Sequence, residues 1–197
     1  MEKIECACCG GSDFARYGNK MQCRFCGSMY TVDENQEVTD AKVLALLYTS
    51  ARKRVDGDPA GEMMALAEAL SLDENNTVLL TRLGRLYREM GNSKKAEELY
   101  NRVIKLDPDS PLGYAGLGAM YVISNENEKA LPYLEKCIPL YDEADYDFAV
   151  SLANYGIALG RTRRKAEAKE VLKKAKEKGY KNMDTACRMA GVRAFSV

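Results

Sequence analysis

A recurrence of 34 residues constrains this chain more than any other feature of it. In residues 77–110, TVLLTRLGRLYREMGNSKKAEELYNRVIKLDPDS, Leu80, Leu83, Gly84 and Tyr87 stand at helical spacing. After Gly91 and Asn92, Ala96, Tyr100, Val103 and Leu106 share one face of a second helix. Each stripe is apolar on one side only. A lone hairpin of this kind cannot bury its face, so the fold needs further copies to stack on. The copies are present: Tyr114, Leu117, Gly118, Tyr121, Ala130, Leu134 and Cys137 lie 34 residues on, and after four extra residues Leu152, Tyr155, Gly156, Leu159, Ala168, Leu172 and Ala175 repeat the pattern.

The residue types have a packing logic. Gly84, Gly118 and Gly156 let the first helix of a pair approach the second, Ala96, Ala130 and Ala168 do the same from the other side, and the large residues fill the space between. On these residues, with Pro108 near the end of the first clear copy, the chain resembles the tetratricopeptide repeat family. Its departures are mild: Asp142 and Tyr180 stand in place of the terminal proline, and Asn125 and Arg163 in place of the glycine before the second helix. The resemblance implies an α-solenoid with repeats at 77–110, 111–144 and 149–182. A degenerate first repeat at 43–76, with Thr49 and Ser50 where Leu and Gly are expected, and a capping helix at 183–195 complete about three and a half hairpins over residues 41–197. Pro132 falls inside the second helix of its repeat, so that helix is expected to start late or to bend there.

Residues 1–33 are a different kind of sequence. Cys6 and Cys9, then Cys23 and Cys26, form two Cys-x-x-Cys-Gly units separated by thirteen residues, with a Gly18-Asn19 turn signal between them. Zinc takes four tetrahedral thiolates, and each such unit presents two sulfurs to one ion over a tight glycine turn. The stretch resembles a zinc ribbon, a small β element binding one structural Zn2+ through Cys6, Cys9, Cys23 and Cys26. Cys8 is the alternative to Cys6 or Cys9, but only the Cys6 and Cys9 pair has the two-residue spacing and the trailing glycine, so Cys8 is assigned as a non-ligand. With so little apolar core the ribbon is expected to fold only with its metal. Residues 34–40 are polar and acidic and are assigned as a linker.

Charge and composition exclude several functions. The chain has 29 Lys and Arg against 29 Asp and Glu, so it has no general attraction for nucleic acid or an anionic membrane. It has no histidine, phosphate loop or Gly-x-Ser-x-Gly elbow, which argues against an enzyme. No leader-like stretch or long uncharged apolar run is seen, so a cytoplasmic protein with reduced thiols is expected. Cys137 and Cys187 fall on apolar faces and are assigned to packing. Charge is unevenly spread: residues 161–181 hold ten cations against three anions, whereas residues 56–81 hold six anions and no cation.

In the repeat family the inner surface is formed by the first helices, between their core positions. Here those positions are Val78, Thr81, Arg85 and Arg88; Leu112, Ala115, Ala119 and Val122; and Val150, Ala153, Asn154 and Ile157. Leu112, Ala115, Ala119 and Val122 make a second apolar stripe that packing of the repeat does not require. The expected function is therefore a non-enzymatic protein–protein scaffold that takes a partner protein or peptide in that groove. The chain's own C-terminal helix is the competing occupant. The alternative function is a nucleic-acid-associated regulator using the ribbon and the basic C-terminal helices.

Overall fold

The computed structural model describes residues 14–17, 20–23, 29–31, 39–141 and 146–193. Near the N-terminus, β1 (Phe14–Tyr17), β2 (Lys20–Cys23) and β3 (Met29–Thr31) form an antiparallel sheet in the order β1-β2-β3. The register pairs Phe14 with Cys23 and Tyr17 with Lys20, and then Lys20 with Thr31. The other described elements are helical, and the contacts divide the chain into two compact units after Leu79.

In the first unit, α1 (Thr39–Val55) packs on α2 (Pro59–Leu72). Asp58 caps α2: Oδ1 accepts from the Gly61 amide at 2.8 Å and Oδ2 from Lys53 Nζ at 3.0 Å, and Pro59 takes the first helical position. The Gly61 amide and then the Lys53 charge hold the Asp58 carboxyl below its ordinary range. The degeneracy of this pair has a physical form. Ser50 and Glu62 occupy the offsets of Gly84 and Ala96, and both are buried, so a polar pair replaces the small apolar one. Ser50 donates its hydroxyl hydrogen to the Leu47 carbonyl at 2.8 Å.

The second unit carries the regular repeats. They are α3 (Thr77–Glu89, which begins before the division) with α4 (Ser93–Leu106), α5 (Pro111–Ile123) with α6 (Asn127–Cys137), and α7 (Tyr146–Arg161) with α8 (Lys165–Glu177). One packing device is repeated three times. A methyl group on Gly84 would stand 2.8 Å from a Tyr100 ring carbon, one on Gly118 2.6 Å from Leu134, and one on Gly156 2.6 Å from Leu172. Each large residue is fully buried, an apolar gain of roughly 1.5–3 kcal/mol apiece, and each glycine admits it. Ala96, Ala130 and Ala168 are likewise fully buried.

The turn between paired helices is equally regular. Gly57, Gly91, Asn125 and Arg163 share one repeat position, and all four have left-handed backbones, with φ of 69°, 79°, 62° and 68°. Asparagine tolerates this conformation, whereas arginine does so at a cost.

Of the two alternatives for Pro132 the late start is not seen, and the extent of the last helix is corrected. α6 begins at the offset where α4 begins, so Pro132 does not delay it and lies inside the helix, which is 11 residues long against 14 for α4. A 3-10 turn, Ile138–Leu140, carrying Pro139 follows. The C-terminal helix α9 (Met183–Ala190) is shorter than the expected 183–195, because Gly191 turns left-handed at φ 64° and stops it. α9 packs on α7 and α8 and buries Ala186, Cys187 and Ala190, while Met189 and Arg193 are exposed.

Candidate functional site: the inner face of the first helices

The residues assigned to the inner surface separate into three groups. On α3, Thr81, Arg85 and Arg88 are half-buried, and Glu89 reaches both arginines, Arg85 Nη1 at 3.3 Å and Arg88 Nη2 at 3.7 Å. On α5, Leu112, Ala115 and Ala119 are half-buried, as are Val150 and Asn154 on α7. Val122, Ala153 and Ile157 are core, at 1%, 0% and 3% exposure. Val78 is 43% exposed and belongs to the first compact unit.

Ala153 and Ile157 are core residues of α7, at the part of the inner face for which the chain's own C-terminal helix is the competing occupant. α9 lies against α7 so closely that a methyl on Gly160 would meet the Ala190 carbonyl oxygen at 2.2 Å. Ala153 and Ile157 belong to the same core cluster as Ala186, Cys187 and Ala190. Gly160 carries this contact. It occupies the offset of Arg88 and Val122, and a glycine at that offset was the available signal that a backbone approaches there.

Arg161, the next residue, ties the same corner together. Its Nη1 donates to the Val122 carbonyl at 2.8 Å and its Nε to the Met189 carbonyl at 3.3 Å, so one guanidinium serves the C-terminal ends of α5 and α9. Cations are favourable at helix C-termini, where carbonyls lack intrahelical partners.

Beneath the face on α3 and α5 sits Tyr100. Its ring meets Gly84 on α3 and Gly116 on α5, where a methyl would fall 2.4 Å from two ring carbons. Burial pushes the phenol up to about 12, with the nearby Arg88 charge opposing. Other tyrosines bind neighbouring helices from their edges. Tyr121 donates to Glu97 Oε1 at 2.7 Å and Tyr155 to Glu135 Oε1 at 3.0 Å. Lys95 and Lys129 lie over the equivalent rings of Tyr87 and Tyr121, at 5.1 and 5.7 Å.

Cys137 and Cys187 are buried free thiols, and burial raises Cys137 to about 11, far from a nucleophile's range. Of the assigned zinc ligands only Cys23 is described, at the end of β2; Cys6, Cys9 and Cys26 lie outside the described residues. Because Phe14 pairs with Cys23, the chain enters β1 and leaves β2 at the same end of the hairpin. That register suits a donor set drawn from just before β1 and just after β2. Among the described residues no helix is long and apolar enough to cross a membrane.

Residues 56–120 match the tetratricopeptide repeat family model. Over those residues, about a third of its length, the chain is similar to tetratricopeptide repeats. It is 24% identical over 66% of its length to a TPR repeat-containing protein of Methanocaldococcus jannaschii, and 33% identical over 41% of its length to anaphase-promoting complex subunit 3 of Schizosaccharomyces pombe. The chain spans only 22% and 12% of those two relatives. The described fold is similar to that of PilF of Pseudomonas aeruginosa, with a TM-score of 0.68 at 17% identity, covering 77% of this chain and 67% of that one.

Proposed function

We propose that this chain is a non-enzymatic interaction module that holds an extended or amphipathic segment of a partner protein against the inner face of α3 and α5. Tetratricopeptide repeats serve generally as protein-interaction scaffolds, which supports the class of function. The observation that carries the reading is α5 itself. Its sequence, PLGYAGLGAMYVI, has no charge, one side is spent on Tyr114, Leu117, Gly118 and Tyr121 in the core, and Leu112, Ala115 and Ala119 on the other side remain partly open. Apolar surface kept open in this way favours a partner. Arg85 and Arg88 on α3, with Glu89 beside both, favour a segment with acidic flanks, while Val150 and Asn154 on α7 are likewise half-buried.

The N-terminal part of the proposal is a structural zinc site of Cys6, Cys9, Cys23 and Cys26, supported by the ligand spacing and by the β1–β2 register. Bound zinc would supply folding energy there and no reaction. The cytoplasm, where thiols stay reduced, is the compartment proposed.

The groove is tested by site-specific photocrosslinking in the native cell. A benzophenone amino acid at Leu112 is expected to capture a discrete partner, and the same group at Lys105, exposed on α4, is expected to capture none. Equal capture from both positions, or none from Leu112, would remove the inner face from the account.

A further inference from the structure

The strongest charge asymmetry in the molecule lies away from this face. Residues 161–193 contain twelve cations and four anions in a chain whose total charge is zero. Several of the cations are engaged. Arg161 serves the two helix ends, and Arg164 pairs with Glu167 at 2.6 Å and with Glu135 at 3.8 Å. Lys174 and Lys178 lie over the Phe148 ring, at 5.3 and 6.0 Å.

The remaining lysines of α8 form a pattern. The helix buries Ala168, Leu172 and Ala175, and its opposite ridge is Ala166, Glu170 and Glu177. Lys174 and Lys178 occupy the flank toward Phe148 on α7. Lys165, Lys169, Lys173 and Lys176, at spacings of four, four and three, line the other flank. All four are exposed, and none has a carboxylate partner among the described residues. This flank faces α9: the nearest atoms to a methyl on Gly191, at the end of α9, are Cε and Nζ of Lys165 at 3.9 Å. The exposed Lys181, Arg188 and Arg193 lie before, on and after α9 and add to the same sign.

We infer that the valley between α8 and α9 is a second docking surface, taking an extended acidic segment of a partner protein along the Lys165, Lys169, Lys173 and Lys176 stripe. The stripe runs about 16 Å, from eleven residues at about 1.5 Å rise, and so matches about five residues of extended chain. Successive lysines rise by about 6 Å, near the spacing of alternate side chains on a strand.

A slim chain fits better than a nucleic-acid duplex. A rigid rod approaching α8 meets the outer ridge first, where Glu170 and Glu177 would oppose its phosphates, whereas an extended peptide can lie to one side of that ridge. Single-stranded nucleic acid would need exposed rings for stacking, and the residues of the stripe and of α9 include no aromatic side chain.

The test uses the full chain and a fluorescein-labelled octaglutamate peptide, read by anisotropy at low salt. Lys169→Glu with Lys173→Glu should weaken binding at least tenfold, because it reverses two central charges, and should leave the melting curve unchanged because both side chains are in water. Lys94→Glu with Lys105→Glu on α4 serves as the control for net charge and should change binding less than threefold. Binding should also fall steeply as salt is raised, as screening shortens the reach of the lysines. The inference is overturned by undetectable binding, by equal loss in the α4 control, or by a labelled 20-base-pair duplex binding more than tenfold tighter than octaglutamate. The last outcome would assign the stripe to nucleic acid instead.

Discussion

Gly116→Ala tests whether Tyr100 is wedged between α3 and α5 as described. A new methyl would lie 2.4 Å from both Cδ1 and Cε1 of the ring, where unstrained carbon contacts are about 3.5–4.0 Å, so a displacement of roughly 1 Å is required. On the α3 side the ring is already packed on Gly84, where there is no room for even a methyl, since one added there would lie 2.8 Å from Cε1. Overpacking of this kind typically costs about 1–3 kcal/mol. Alanine recovers roughly 1 kcal/mol of helix propensity over glycine, so the net effect should be a loss of up to about 2 kcal/mol, at about 2–4 °C of melting temperature per kcal/mol for a chain of this length. Urea titration followed by circular dichroism measures it. In a Tyr100→Leu background the same Gly116→Ala change should cost little or stabilise, giving a coupling of about 1 kcal/mol or more. A Gly116→Ala that stabilises the wild-type background by the full helix-propensity gain of about 1 kcal/mol would refute the wedge.

Arg163→Gly should raise stability by about 0.5–1 kcal/mol in the same titration, since arginine is held at φ 68° where glycine is at ease; a loss would mean that the arginine side chain contributes more than the backbone costs. Tyr100 has its proton held up to about 12 in the folded chain against about 10 unfolded, so its contribution is present below pH 10 and lost as pH rises toward 12. Tyr100→Phe should therefore shift alkaline unfolding upward, read by circular dichroism together with tyrosinate absorbance. Elemental analysis should find one zinc per chain, lost in Cys6→Ser and kept in Cys8→Ser. Chelation should leave the helical signal nearly intact, because the repeats bury their own core.

The repeats were legible because packing leaves so little choice at each offset. Gly84, Gly118 and Gly156 had to be glycine beneath Tyr100, Leu134 and Leu172, and that necessity located α3 through α8 to within a few residues. The left-handed turns were visible at Gly57 and Gly91, and only by their offset at Asn125 and Arg163. The site was less legible, because exposure depends on what lies opposite. Ala115 and Ala153 occupy the same repeat position, yet one is half-buried and the other is core, since α9 packs on α7 and the approach is licensed by Gly160. The buried Ser50 and Glu62 pair shows the same limit from another side. Ser50 marked the first repeat as degenerate, but its consequence, a polar interior between α1 and α2, required knowing that Glu62 sits at the Ala96 offset and is buried.

The central claim is that the open stripe on α5 binds a partner and is not part of the core. Ala119→Glu addresses it most directly, because glutamate preserves the helix while placing charge and bulk on that stripe. The measurement is the melting temperature of the isolated protein alongside recovery of the partner captured from Leu112. The account predicts a melting temperature within about 2 °C of wild type, a change under about 1 kcal/mol, and loss of the partner. A large drop in melting temperature, or full partner recovery, would contradict it.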